Sequence, residues 1–213
     1  MNKAELITRA KPYYDDVMVL ELEHAIDVAT EAHKGQKRKS GQDYITHPLS
    51  VADILIEWGM DIDTVIAGVL HDTVEDTPTK LSDIESLFGR DVAFLVDGVT
   101  KVSKARSGMR NLDSYLPETK DNLTKLLIAV GQDMRVIIIK LADRLHNMQT
   151  LKYKSREKQL KIARETLEVF APLADRLNMG RVRVQLEELS FKFLLPDEFE
   201  RTKKLMDSRL KKS

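Results

Sequence analysis

The sequence predicts an all-α protein. Over most of the 213 residues, apolar side chains recur at three- and four-residue steps, which is the period of a helix with one buried face. No segment combines two-residue alternation with turn residues, the pattern typical of β-strands. Gly, Pro and polar clusters divide the periodic stretches at intervals of helical length. The chain is also long enough to enclose one sizeable core.

The first predicted helices flank a basic polar loop. Leu20–His33 carries one apolar stripe and is followed by the loop GQKRKSGQD. After Pro48, the stretch LSVADILIEW continues the helical period as far as Gly59. The next helix, TVIAGVLHDTVED, is expected to have Asp63 as its N-cap and to end before Pro78.

A short helix is predicted from Ser82 to Phe88, followed by an amphipathic helix over RDVAFLVDGVTKV and, later, another over NLTKLLIAV. Between the last two, residues 103–121 are polar, of mixed charge and interrupted by Gly108 and Pro117. We interpret this segment as a long mobile loop or lid.

The stretch VIII in DMRVIIIKLADRLHNMQTL is ambiguous, because β-branched residues also favour strands. We predict a helix that begins after an Asp133 cap, since one apolar face continues beyond the length of a strand. That face consists of Val136, Ile139, Leu141, Leu145 and Met148. The helix SREKQLKIARETLEVFAPLADRL and a charged amphipathic tail complete the chain.

Composition excludes several classes of protein. Lys and Arg total 34, as do Asp and Glu, so no net charge attracts nucleic acid or an anionic membrane. The absence of cysteine excludes disulfides, thiolate nucleophiles and sulfur-ligated zinc. The first residues lack the apolar core of a signal peptide, and the longest aliphatic runs are too short to cross a bilayer. We therefore expect a cytoplasmic protein without nucleic-acid or membrane partners.

Separated His and Asp residues could surround one divalent metal ion. His47 precedes a proline, His71 and Asp72 are adjacent, and Asp143 lies in LADRLHN. Two imidazoles with two carboxylates suit Mn²⁺, Fe²⁺, Co²⁺ or Zn²⁺. The pentapeptide LADRL occurs again at 173–177, so local sequence alone does not choose Asp143 over its counterpart in the repeat.

A metal in such a site can activate water for attack on a phosphoester or phosphoanhydride. Glu75 and Asp76 follow His71 and Asp72 after one helical turn and could orient that water or accept its proton. The loop KGQKRKSG supplies cations that could bind substrate phosphates. Taken singly, each feature also has a structural interpretation, such as a helix start, a polar helix end or a solvated turn. We assign structural or supporting roles to His24, His33 and His146.

Five segments, in order and spacing, resemble the hydrolase domain of the RelA/SpoT homologue family, which makes and degrades the alarmones ppGpp and pppGpp. They are RKSGQDYITHP, VIAGVLHDTVEDT, VDGVTKV, DMRVIIIKLADRLHNMQTL and APLADRLNMGRVRVQLEELSFKFL. The resemblance covers Leu20 to Phe199. It implies an HD-domain helical bundle that removes the 3′-pyrophosphate of (p)ppGpp, giving GDP or GTP and pyrophosphate.

The resemblance also implies a role for individual residues. It favours Mn²⁺, or another divalent transition metal, and resolves the choice between the two LADRL segments; the implied ligands are His47, His71, Asp72 and Asp143. The implied catalytic carboxylates are Glu75 and Asp76. The implied substrate-binding residues are Arg38, Lys39, Ser40, Tyr44 and Asn147.

The implied division of the chain is a hydrolase domain at 1–195 and, at 196–213, a helical tail that begins the connector to a synthetase domain absent here. Asp175 and Asn178 stand where the family usually has His and Gly, and Thr124 stands where Arg is common. We expect hydrolysis without alarmone synthesis. Two alternatives remain open: hydrolysis of another nucleotide such as NADPH, and a non-catalytic module that binds guanine nucleotides.

Overall fold

The computed structural model describes residues 1–110 and 133–210, with side chains for all of these except 105–110 and 208–210. The described part is helical, and its one β-bridge joins Lys37 to Asp43. The α-helices in chain order are α1 (Lys3–Ala10), α2 (Asp16–Ala32), α3 (Thr46–Glu57), α4 (Ile62–Leu70), α5 (Thr73–Asp76), α6 (Leu81–Arg110), α7 (Met134–Gln149), α8 (Arg156–Glu165), α9 (Ala171–Arg176), α10 (Gly180–Leu194) and α11 (Pro196–Leu210).

The predicted all-α fold is confirmed, and most predicted helices lie within a few residues of their expected positions. One predicted cap is wrong. The N-cap of α4 is Asp61, whose side chain accepts a hydrogen bond from the backbone N–H of Thr64 at 3.0 Å. Asp63 lies instead within the first turn of α4. Both aspartates precede an apolar run, so composition alone favours neither as the cap.

The helix predicted to continue from α4 to Pro78 is interrupted. α4 ends at Leu70, and the separate short helix α5 comes next. Between them, His71 and Asp72 occupy a turn rather than the interior of a helix. The turn aims both side chains toward the same region, which a continuous helix would not do for adjacent residues.

The long helix α6 differs from its prediction in two respects. Gly89, expected to end a short helix, adopts φ 82° and interrupts α6, but the helix resumes directly after it. Its positive φ is one that glycine adopts without steric cost. Residues 103–110, predicted as the start of a mobile loop, continue α6 to Arg110. The rest of that predicted loop and the predicted helix NLTKLLIAV lie outside the described residues.

The ambiguous VIII stretch is helical, as predicted, within α7. Asp133 precedes α7 and its side chain accepts a hydrogen bond from the backbone N–H of Arg135 at 2.9 Å. The helix predicted over SREKQLKIARETLEVFAPLADRL forms as α8 and α9 joined by a π-helical turn at Thr166–Phe170. Pro172 lies just after this turn; it lacks an N–H and its ring crowds the preceding turn, which accounts for the wider local winding.

The chain forms two compact units, Met1–His146 and Asn147–Ser213. In the first unit, α4 packs against α2, α3 and α6. Every residue of α4 except Asp63 is buried, so the turn after this helix begins inside the core. This is what buries His71. The aliphatic side chains of the surrounding core include Leu22, Ile26, Leu55, Leu95 and Ile139.

The second unit has its own apolar centre, made by α8, the π-helical turn, α9 and α10. Its most buried side chains include Phe170, Leu173 and Leu186. After α9, Asn178 adopts φ 56°, the left-handed conformation in which asparagine is the commonest substitute for glycine at a helix end. The division of the sequence at 195 and 196 stays a prediction.

Within residues 1–110 and 133–210, no helix combines the length and the apolar character needed to span a bilayer.

Candidate metal centre

Three elements of the first unit carry the predicted metal ligands. His47 lies in the first turn of α3, His71 and Asp72 form the turn after α4, and Asp143 lies in α7. His47, His71 and Asp143 are 2%, 1% and 7% exposed, respectively. Polar groups buried to this extent must find partners or a ligand.

Three of the four side chains, those of His47, His71 and Asp143, form one group of potential ligands, and Asp72 lies beside both imidazoles without completing that group. His47 Nε2 lies 3.2 Å from Asp143 Oδ1 and 3.7 Å from Asp72 Oδ2. His71 Nε2 lies 3.1 Å from Asp72 Oδ1 and 3.9 Å from Asp143 Oδ1. Two donors each about 2.1 Å from one ion are roughly 3.0 Å apart at right angles and roughly 4.2 Å apart on opposite sides. The observed separations therefore match ligand atoms around a single ion.

The donor set also fits a metal chemically. His47, His71 and Asp143 each present one ligand atom within 4.8 Å of the other two. His71 Nε2 is buried and lacks a well-formed hydrogen bond within the described residues, although Asp72 Oδ1 is close. Imidazole nitrogen and carboxylate oxygen together suit divalent transition metals. This part of the first unit is a His/Asp group that could hold a metal ion.

Each imidazole is oriented by a hydrogen bond from its second nitrogen. His71 Nδ1 donates to the backbone carbonyl of Gly68 at 2.7 Å. His47 Nδ1 forms a hydrogen bond of 2.6 Å with His146 Nδ1. Such outer partners fix the ring so that the other nitrogen faces the metal. Both Nε2 atoms are thereby directed at the carboxylates.

The two carboxylates are oriented in the same way. Asp72 Oδ2 accepts a hydrogen bond from the hydroxyl of Tyr44 at 2.6 Å. Asp143 Oδ2 accepts one from Lys140 Nζ at 2.6 Å, and Lys140 also donates to Ser103 Oγ of α6 at 3.2 Å. Asp143 thus faces both imidazoles with Oδ1 while Lys140 engages Oδ2, whereas Asp72 faces His71 with Oδ1 and His47 with the oxygen that Tyr44 also engages.

The field in this site favours a bound cation. Burial opposes a positive charge on His71, but the carboxylates of Asp72 and Asp143 outweigh it and raise the pKa of His71 to about 9. Burial also opposes ionisation of Asp72, yet His71 and His47 hold the pKa of that carboxyl below its usual range. Burial lowers the pKa of His47. A field that holds a proton on buried His71 would also stabilise a metal cation there.

The pKa values of Asp143 and His146 are both lowered, which leaves the carboxyl charged and the imidazole neutral. Despite burial, Lys140 and the two imidazoles hold the pKa of the Asp143 carboxyl well below its usual range. Burial and the neighbouring His47 and Arg38 lower the pKa of His146 to about 3. At neutral pH the site therefore contains ionised carboxylates beside a neutral His146.

The predicted catalytic carboxylates lie on α5, directly after the ligand pair. Glu75 and Asp76 are both exposed. Asp76 Oδ2 lies 3.3 Å from the Tyr44 hydroxyl, and its backbone carbonyl accepts a hydrogen bond from the Gln36 side chain at 3.2 Å. Tyr44 thus contacts both Asp72 and Asp76, so the metal centre and this carboxylate belong to one hydrogen-bonded group.

The basic loop after α2 is folded back toward the site. Its β-bridge between Lys37 and Asp43 brings the two ends of the loop together. Arg38 is half-buried, and this burial lowers its pKa. The negative charges of Asp143 and Asp72, together with Tyr44, oppose that shift. The guanidinium therefore lies within the electrostatic field of the metal centre. Lys39 is exposed, and Ser40 Oγ donates to Gln42 at 3.3 Å.

Sequence reasoning missed one residue of the site. Lys140 was not singled out, although its position three residues before Asp143 puts both on one helix face. His33, assigned a structural or supporting role, is 3% exposed, and the centroid of its ring lies 4.6 Å from that of Tyr44 in a stacked arrangement. Asn147 is the first residue of the second unit, and its role stays a prediction.

Comparison with known proteins connects this geometry to a family. The family profile described as HD domain matches residues 25–180. The chain is 48% identical over 201 residues to a GTP pyrophosphokinase of Streptomyces coelicolor, covering 94% of this chain and 23% of the relative. It is 46% identical over 183 residues to the guanosine-3′,5′-bis(diphosphate) 3′-pyrophosphohydrolase of Aquifex aeolicus, covering 86% and 25%.

A third relative is the bifunctional (p)ppGpp synthase/hydrolase SpoT of Escherichia coli, 46% identical over 187 residues, covering 88% of this chain and 26% of SpoT. The chain thus spans about a quarter of the length of these curated relatives. A solved structure described as a metazoan orthologue of SpoT that hydrolyses ppGpp matches with a TM-score of 0.60 and 26% identity, covering 85% of this chain and 99% of its own. These matches confirm the RelA/SpoT resemblance, and the chain belongs to the HD-domain family.

Proposed function

We propose that this chain is a metal-dependent hydrolase that removes the 3′-pyrophosphate of ppGpp and pppGpp, leaving GDP or GTP. The observation that carries the proposal is the buried group of His47, His71 and Asp143, whose ligand atoms lie within 4.8 Å of one another, with Asp72 beside both imidazoles. Two relatives named as hydrolases of this substrate class, from Aquifex aeolicus and Escherichia coli, support the choice of substrate.

In this proposal, His47, His71, Asp72 and Asp143 hold Mn²⁺. Their carboxylates suit Mn²⁺, and their imidazoles also suit other divalent transition metals, so the choice of Mn²⁺ rests on the family resemblance. When bound, the metal lowers the pKa of a coordinated water and polarises the phosphoryl oxygen. Lys140 and Tyr44 each engage one oxygen of a ligand carboxylate, so those carboxylates keep their orientation before the ion arrives. Such preorganised ligands need little rearrangement on binding.

Glu75 and Asp76 are assigned to the attacking water. Both are exposed on α5, directly after the ligand pair, where a carboxylate can orient water and accept its proton. The hydrogen bond from Tyr44 to Asp76 would position that carboxylate toward the metal centre. As water adds to phosphorus, the bond to the 3′-oxygen breaks and pyrophosphate leaves from the nucleoside.

The loop after α2 is assigned to nucleotide binding. The half-buried guanidinium of Arg38 offers a flat face on which a purine can stack. Lys39 and Ser40 would contact phosphate and ribose, Tyr44 would border the nucleotide, and Asn147 would contact its base or sugar. With balanced charge, we expect a cytoplasmic enzyme whose partner is this anionic nucleotide rather than a nucleic acid.

The first experiment is incubation of Mn²⁺-reconstituted protein with ppGpp and, separately, NADPH, with products separated by anion exchange. Mn²⁺-dependent GDP and pyrophosphate from ppGpp is the expected result. Intact ppGpp after hours at micromolar protein would overturn the proposal. Phosphate release from NADPH alone would identify another phosphohydrolase, and nucleotide binding without turnover would identify a binding module.

Two substitutions test the assigned roles. Asp72→Ala is expected to lose metal and turnover together, because it removes a ligand. Glu75→Gln is expected to keep the metal and lose turnover, about 100-fold or more if the carboxylate acts as a general base. Glu85→Gln, a change of the same kind at an exposed position on α6, is the control. Metal content by mass spectrometry beside the rate distinguishes the two roles, and metal loss in Glu75→Gln would contradict the assignment.

A further inference from the structure

The two metal-facing imidazoles differ in what orients them. His71 Nδ1 hydrogen-bonds a backbone carbonyl, which can only accept, so this hydrogen bond requires a proton on Nδ1. His47 Nδ1 instead hydrogen-bonds the imidazole of His146 at 2.6 Å, and the two rings meet edge to edge, with centroids 4.9 Å apart and planes 27° apart. An imidazole nitrogen can donate or accept, so this pair has two possible proton arrangements.

Only one arrangement allows His47 to ligate. His47 Nε2 is the atom that faces Asp143 Oδ1 and Asp72 Oδ2. To bind a cation, Nε2 must offer its lone pair, which places the proton on Nδ1. His146 Nδ1 must then accept that proton in the hydrogen bond and carry its own proton on Nε2. In the opposite arrangement, His146 donates, and the Nε2 of His47 carries a proton toward the carboxylates.

We infer that His146 is a positioning residue that selects the metal-binding tautomer of His47 by presenting Nδ1 as a hydrogen-bond acceptor. This inference rests on the proposed metal site and assigns His146 no contact with metal or substrate. His146 lies in α7 with Lys140 and Asp143, three residues after the aspartate. Helix α7 therefore supplies the proposed ligand Asp143 and the Lys140 cation that orients it. It also supplies His146, the acceptor that orients His47 of α3.

The test compares two replacements of similar size. In His146→Asn, the side-chain oxygen can occupy the position of Nδ1 and accept the same hydrogen bond. In His146→Leu, the volume remains but the acceptor is lost. The Mn²⁺ dissociation constant, measured by electron paramagnetic resonance of free Mn²⁺ without substrate, is expected to rise about 10–100-fold in His146→Leu and to stay within about threefold in His146→Asn.

A second measurement reads the tautomer directly. In protein labelled with ¹⁵N-histidine and free of metal, long-range ¹H–¹⁵N correlation spectra distinguish protonated Nδ1 from protonated Nε2. Wild type is expected to show a measurable fraction of His47 protonated on Nδ1, with His146 protonated on Nε2 in that fraction. In His146→Leu, His47 is expected to shift toward the Nε2-protonated form, which can donate to Asp143. A role confined to packing would not change this signature.

Several results would overturn the inference. Equal weakening of Mn²⁺ binding in the Asn and Leu variants would indicate that the ring itself is required, and unchanged binding in Leu would indicate no role. If the Leu variant does not fold, the wild-type spectrum decides: His47 with no detectable population protonated on Nδ1 contradicts the inference. His24→Leu removes an imidazole that contacts Phe88 instead of a metal-facing ring; it is the control and should leave Mn²⁺ binding unchanged.

These outcomes are separate from those of the proposed function. Wild-type protein that binds Mn²⁺ but leaves ppGpp intact would refute the substrate while leaving the role of His146 testable. Wild-type turnover with a normal His146→Leu variant would refute the role of His146 alone.

Discussion

Two copies of the pentapeptide LADRL, at 141–145 and 173–177, occupy different environments. The leucine and alanine that begin each copy are 0% exposed. The charged residues differ: the side chain of Asp143 is 11% exposed, whereas that of Asp175 is 63% exposed. The arginine after Asp143 is buried, and the one after Asp175 is exposed. The closing leucine also differs, because Leu145 is buried and Leu177 is only partly buried. Local sequence therefore sets the burial of the first two residues but not that of the last three.

The partners of the two aspartates explain the difference. Asp143 is engaged by the buried Lys140 of its own helix and faces His47 from α3. Asp175 pairs with Arg183 of α10 at 3.4 Å, and the two side chains are 63% and 41% exposed, respectively. An exposed ion pair contributes little, whereas a buried carboxylate requires charged or metal partners. The same five residues thus give a ligand candidate in one unit and a surface residue in the other.

Replacing each aspartate by asparagine should give the largest contrast. Asp143→Asn removes the charge of a predicted ligand and is expected to weaken Mn²⁺ binding and slow ppGpp hydrolysis more than about 100-fold, since loss of an outer partner alone accounts for about 10–100-fold. Asp175→Asn should leave both within about twofold. Retained metal after dialysis and the hydrolysis rate measure the difference. Loss of metal in Asp175→Asn would contradict the conclusion that Asp175 is a surface residue without a role in metal binding.

Removing the cation that pairs with each aspartate should lower the free energy of unfolding by different amounts in the two copies. Lys140→Met leaves the Asp143 carboxylate buried without its cation, and we expect the metal-free protein to lose about 3–5 kcal/mol of its free energy of unfolding. Arg183→Met breaks an exposed pair, for which about 0–1 kcal/mol is expected. Urea unfolding of both variants and wild type is the measurement. Equal losses would mean that burial does not distinguish the two pairs.

The two LADRL copies also differ in a neighbouring titratable group. Asp143 of the first copy lies near His71, whose pKa is raised. His71 has a pKa of about 9 in the metal-free protein, so at pH 7 it holds a proton that a metal must displace. Raising the pH toward 9 removes that proton, and apparent Mn²⁺ affinity should rise about tenfold per pH unit and level off above 9. At pH 7 we expect the protein to release close to one proton for each Mn²⁺ bound, which calorimetry in buffers of different ionisation enthalpy measures. Binding without proton release would contradict the raised pKa of His71.

The smallest effects should come from two glycines near the compared regions. A Cβ at Gly68, before His71, would meet the side chain of Leu55, whereas one at Gly180, after the second LADRL, would meet nothing within 4 Å. Gly68→Ala should therefore destabilise by about 1–3 kcal/mol, and Gly180→Ala should stabilise by about 0.4–1 kcal/mol. Thermal unfolding midpoints of both variants test this, and a stabilised Gly68→Ala would contradict the close packing around α4.

Apolar periodicity was sufficient to predict the helices. The helical assignment of VIII is confirmed because one face persisted along the whole segment. Boundaries were less accurate. Asp61, not Asp63, caps α4, and α6 continues through residues predicted as a loop. Cap choice and helix extension depend on backbone geometry that neighbouring aspartates or polar residues do not reveal.

For the site, the sequence supplied the residue types and the order of the segments but not their distances. His47, His71, Asp72 and Asp143 were predicted as ligands, and that assignment stays a prediction. The structure groups the first two with Asp143 and leaves Asp72 beside both imidazoles. Their partners were harder to foresee. Lys140 and His146 look like ordinary residues of an amphipathic helix until α3 and α6 are packed beside it.

By itself, the sequence determined the helical fold, the apolar faces and the set of donor side chains, because these depend on short-range periodicity and residue chemistry. Only the tertiary structure decided which aspartate of the two LADRL copies is buried and which nitrogen of each imidazole faces the carboxylates. Those outcomes depend on contacts between residues up to 99 positions apart, and burial turns such contacts into strong electrostatic interactions that local sequence cannot encode.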